Sequence, residues 1–74
     1  MTFIISYEEM KAGYEKFKTR QPKSLFDRYA IELNYVRNLI RMAKEKGLEQ
    51  DVFEYQKIEQ ENVKQLQALG YNVK

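Results

Sequence analysis

From Leu25 to Lys46 the chain runs for 22 residues without a proline, a glycine or any other interruption of helical patterning. Phe26, Tyr29, Leu33, Val36, Ile40 and Ala43 alternate by threes and fours, the spacing of a helix that lays one face against a neighbour. At 1.5 Å per residue this helix is about 33 Å long, enough to span a small domain from end to end. The rest of the fold has to be built along that rod. Ser24 is placed to cap its start, and Gly47 to stop it. Leu48 is then positioned to fold back on the Met42 and Ala43 region, as a Schellman motif requires.

The segments on either side read as shorter helices. Ser6-Tyr7-Glu8-Glu9 fits a capping box flanked by Ile5 and Met10 at the staple positions, and Tyr7, Met10, Tyr14 and Phe17 follow along one stripe. This predicts helix 1 over about residues 7–18. Gly13 in its middle costs about 1 kcal/mol relative to alanine, so so short a helix depends on docking for its order. Pro22 disfavours helical backbone at Gln21 and supports a break before Ser24. Beyond Gly47, Asp51 with Glu54 three residues on reads as the next cap. Helix 3 is then expected over about residues 51–69, closed by Gly70 with Tyr71 set to meet Leu66. With only about four residues between them, helices 2 and 3 should form an antiparallel hairpin. Phe3 to Ile5 is too short a run to pair as a strand on its own. The expectation is an all-α, three-helix single domain over residues 1–74, its short N-terminal helix packed across a long antiparallel helical hairpin.

Two features of the helical wheels bear on function. Helix 2 is apolar on both sides: Leu25, Phe26, Tyr29, Leu33, Val36, Leu39, Ile40 and Ala43 cover half of it, while Ile31, Tyr35 and Met42 form a second stripe roughly opposite. In one reading helix 3 covers the wide face and helix 1 the narrow one. In the other, Ile31, Tyr35 and Met42, joined by Phe53, meet another chain, and these four are the candidate partner-binding residues. On helix 3, Glu59 and Asn62 fall inside an arc otherwise made of Leu48, Val52, Tyr55, Ile58, Val63, Leu66 and Leu69. Either the hairpin splays so that both reach water or the flanking Arg37 and Arg41, or Asn62 sets register in a helix–helix or subunit interface.

Composition closes off much chemistry. There is neither cysteine nor histidine, which removes disulfides, the usual nucleophile–base pairs and the commonest transition-metal ligands. No Gly-rich phosphate loop, calcium-loop pattern or other metal motif is present, and Glu45, Glu49 and Asp51 read as solvated charge near a turn. The expectation is therefore no enzyme, no catalytic residue, no metal and no cofactor. Five of the six tyrosines lie on or beside the apolar stripes, where the usual role is packing with a wet hydroxyl. The longest apolar run, Phe3-Ile4-Ile5, is far too short for a signal-peptide core or a membrane span, so no membrane contact and a cytoplasmic location are expected.

The net charge of +2 hides an uneven distribution: residues 16–46 carry nine bases against three acids, whereas both flanks are acidic. Lys16, Lys18, Arg20, Lys23 and Arg28 surround the link and form the candidate anion or nucleic-acid site. A helix-turn-helix reading fails on sign, because helix 3 would enter the groove leading with Glu49, Asp51 and Glu54. Arg37, Arg41 and Lys44 make a second basic row that reads as structural, pairing with helix 3 carboxylates. The leading expectation is a small non-enzymatic protein–protein interaction module. It would form a homodimer or higher homo-oligomer and act as an inhibitor or adaptor, by blocking or recruiting a larger protein partner. In composition it resembles the short cysteine-free helical accessory proteins of phages and mobile elements. The alternative is a nucleic-acid accessory protein that grips backbone phosphates through residues 16–28.

Overall fold

The computed structural model describes residues 5–73, so Phe3 and Ile4 of the N-terminal apolar run lie outside it. Three helices follow one another: α1 (Tyr7–Thr19), α2 (Leu25–Lys46) and α3 (Glu49–Ala68), with no strand among the described residues. The long helices α2 and α3 pack closely as an antiparallel hairpin, and α1 lies mainly on α2, as the patterning predicts.

Local chemistry sets most helix ends. The Ser6 hydroxyl accepts from the Glu9 amide at 3.1 Å and the Ser24 hydroxyl from the Asp27 amide at 3.1 Å, so each helix start satisfies one otherwise orphaned donor. Gly47 takes φ +73°, the left-handed conformation that lets the Leu48 amide reach the Ala43 carbonyl at 2.9 Å and the Gly47 amide that of Lys44 at 3.1 Å. The same pair of bonds recurs at Gly70, from Tyr71 to Leu66 and from Gly70 to Gln67.

The start of α3 corrects one expectation. The helix begins at Glu49 rather than Asp51, and its N-cap is Leu48, whose side chain can accept nothing. Closure of the Schellman turn already fixes Leu48, so the chain re-enters helix at once and Asp51 sits within the first turn. Its carboxylate then accepts the Tyr7 hydroxyl at 2.8 Å, a tie from α1 to α3 across 44 positions of sequence.

The core gathers where all three helices meet. Tyr7 and Tyr14 of α1 join Val36, Leu39, Ile40 and Ala43 of α2, with Met10, Phe17, Tyr35, Met42, Val52, Tyr55 and Ile58 packed around them. Tyr14 meets Tyr55 edge to face at 6.4 Å and Tyr35 at 6.1 Å, and its hydroxyl donates to Glu32 at 2.8 Å. Burial chiefly, and then the neighbouring carboxylates Asp51 and Glu32, push the Tyr7 and Tyr14 phenols well above the ordinary tyrosine value. Gly13 faces the Tyr35 ring here, and a methyl group in its place would lie 3.6 Å from that ring, in ordinary van der Waals contact.

Helix lengths explain what stays uncovered. α1 is about 20 Å long against about 33 Å for α2, so it cannot shield the whole hairpin. Leu25, Phe26, Leu69 and Tyr71, at the open end, remain exposed although three of them belong to the apolar arcs. Phe26 and Tyr71 stack at 4.3 Å and shield one another.

Candidate functional site

The second apolar stripe of α2 divides when α1 docks. Tyr35 and Met42 become half-buried and pack on the core, with Phe17 of α1 against the Tyr35 ring at 5.5 Å. Ile31, one turn before Tyr35, stays 45% exposed. Phe53 stands elsewhere, 55% exposed near the Gly47 turn beside Leu48 and Val52, with the Lys57 ammonium 4.4 Å above its ring. The four candidate partner residues thus occupy three environments rather than one continuous strip.

The basic segment divides as well. Lys18 turns back to Glu15 at 3.3 Å and lies over the Tyr14 ring at 5.0 Å. Arg28 faces the α2–α3 side of the molecule, beside Tyr29, Glu32 and Lys57. Lys16, Arg20 and Lys23 instead line a single open groove of about 500 Å³ between the end of α1, the link and the first half of α2. Ile31, Tyr35, Phe17 and Pro22 supply its apolar surface and Asp27 its single carboxylate. Two groups of residues that were separate candidates in the sequence therefore share one cleft: three cations of the link and two members of the narrow stripe. Pro22 builds the cleft by ending helical backbone early, so that the link crosses over rather than continuing α1.

Lys16, Arg20 and Lys23 form no ion pair or side-chain hydrogen bond among the described residues, nor does the Tyr35 hydroxyl. Much of the other basic charge is engaged: Arg37 holds Glu59 at 3.0 Å and Arg41 pairs with Glu45 along its own helix at 3.5 Å. The second basic row therefore reaches α3 through Arg37, while Lys44 stands beside Phe53 in the cleft at the turn.

The two polar residues inside the α3 arc part company. Glu59 reaches the flank and Arg37, as a splayed hairpin requires. Asn62 is only 2% exposed within the single chain, and its side-chain nitrogen has no hydrogen-bond partner among the described residues. Ile58 and Leu66 lie one turn away on either side along α3, and Asn62 lines a shallow cleft with Arg28, Glu32, Glu61 and Gln65. Among the described residues no three acidic groups converge as metal ligands would. No helix of the described residues is long and apolar enough to cross a membrane. Comparison of the chain with protein-family models, with curated proteins and with solved structures finds no match to any of them.

Proposed function

We propose that the protein is a non-enzymatic helical interaction module that associates with itself and acts by blocking or recruiting a larger protein partner, in the cytosol. What supports this reading is the apolar surface the fold leaves open: Ile31 beside α1, Phe53 and Leu48 at the turn, and Leu25, Leu69 and the Phe26–Tyr71 stack at the open end. A chain of this size stands close to balance between apolar burial and chain entropy, and it gains stability when such surface is covered. Accessory proteins of phages and mobile elements fit this description in kind.

Light scattering at physiological salt over a range of concentrations, combined with a photo-crosslinking residue at position 31 or 53 in living cells, tests it. A dimer mass that falls to monomer in Phe53→Ser or Ile31→Ser is expected, with crosslinked products at the same positions. A strict monomer that yields no adduct at either position removes the reading. The convergence of Lys16, Arg20 and Lys23 supports a second reading, in which the groove holds nucleic-acid phosphates. It requires DNA or RNA affinity that falls steeply between about 50 and 200 mM salt.

A further inference from the structure

We infer that the groove between α1 and α2 is the seat of an acidic, amphipathic segment of a protein partner. The segment would insert one apolar side chain against Ile31 and Tyr35 and lay its carboxylates on Lys16, Arg20 and Lys23. The inference rests on the interaction-module reading and names the chemistry of the partner.

Charge complementarity carries the argument. Three cations against a single carboxylate line a cleft of about 500 Å³, and none of the three is engaged within the described residues. Cations gathered without internal partners present an uncompensated positive potential, which draws an acidic surface and orients it on approach. The apolar side of the cleft selects among acidic ligands. Ile31 is 45% exposed, and a phosphate backbone gains nothing by covering it, whereas an apolar side chain from a peptide buries it. The Tyr35 hydroxyl, with no partner among the described residues, can donate to a carboxylate of the ligand.

The test uses the full chain and a short fluorescein-labelled peptide that alternates glutamate and aspartate with leucine and carries one tryptophan. Its lysine-for-acid counterpart and a labelled oligothymidylate serve as competing probes, and binding is read by anisotropy. The acidic peptide is expected to bind with amide shifts at Gly13 and Ile31 in NMR spectra. Its affinity should fall at least about tenfold in the triple change Lys16→Gln, Arg20→Gln, Lys23→Gln and in Ile31→Ser, and stay within about twofold in Lys44→Gln. All these positions are exposed, and unchanged far-UV circular dichroism verifies that the fold survives. Three results would each overturn the inference: no binding of the acidic peptide, equal binding by wild type and the triple variant, or tighter binding of oligothymidylate than of the peptide at the same salt. If the peptide fails while crosslinks at Phe53 still form, the occupant of the groove is wrong and the interaction-module reading stands. If both fail, both fall.

Discussion

Replacing Gly13 with alanine should make this protein more stable by about 1 kcal/mol, because a glycine inside a helix costs that much relative to alanine in backbone freedom. Two structural facts decide whether the gain is realised. Gly13 has none of the positive φ that would penalise a side chain, unlike Gly47 and Gly70. The new methyl group would meet only the Tyr35 ring at 3.6 Å and its hydroxyl at 3.7 Å, which is ordinary van der Waals contact. Each such atom pair adds about 0.1–0.2 kcal/mol of attraction, so packing reinforces the propensity term rather than opposing it. For a domain of this size 1 kcal/mol corresponds to a rise in Tm of about 4–8 °C. In urea, with a slope of about 1 kcal/mol per molar, the midpoint should move up by about 1 M while the slope stays constant. Circular dichroism at 222 nm, the usual helical signal, follows both transitions. A midpoint that falls would refute the reasoning, because it would mean that Tyr35 presses closer to the α1 backbone than 3.6 Å or that α1 is not helical at this position. A changed slope would show that α1 unfolds apart from the hairpin.

Three further outcomes are expected. Asn62→Val removes a buried amide whose nitrogen has no partner among the described residues and puts an apolar group of similar size in its place; thermal denaturation should show a gain of about 1 kcal/mol. Gly47→Ala places a side chain where φ is +73° with nothing within 4 Å to relieve or aggravate it, so the loss is that of the backbone alone, about 1 kcal/mol by urea titration. For Tyr7 and Tyr14 the folded-state pKa is raised, so both phenols are protonated in folded and unfolded chains below about pH 10, and stability falls as the pH climbs above that value. Urea midpoints measured from pH 8 to 11 should decline over the upper part of that range, and the decline should flatten in the double change Tyr7→Phe, Tyr14→Phe.

The helices were legible because their boundaries are written in neighbouring residues. Ser6 and Ser24 cap, Gly47 and Gly70 stop, and each acts through bonds that span three to five positions. The start of α3 departs from its sequence pattern for a related reason. Asp51 has the right chemistry for a cap, but the turn closed by Gly47 leaves no room for a cap so late, and the carboxylate serves a tyrosine from another helix instead. The exposed open end is not legible in the sequence either, since the arc containing Leu25, Phe26 and Leu69 follows from periodicity whereas its coverage depends on how far α1 reaches. The groove was legible only in pieces. The basic residues and the second stripe of α2 are visible in the sequence, but which of them share a cleft depends on the crossing of α1 over α2. Lys18, two residues from Lys16, faces Glu15 and Tyr14, and Arg28 faces α3, because α-helical neighbours point in different directions.

The groove's two walls belong to helices that could part: one side is the end of α1 and the link, the other is the first half of α2. Whatever occupies it therefore bridges them and acts as a clip on the fold. By mass action a ligand present at about a hundred times its Kd adds about 2.7 kcal/mol to the stability of the state that binds it. That is a large share of what so small a domain has in total, so the natural partner of this protein should announce itself as a rise in melting temperature.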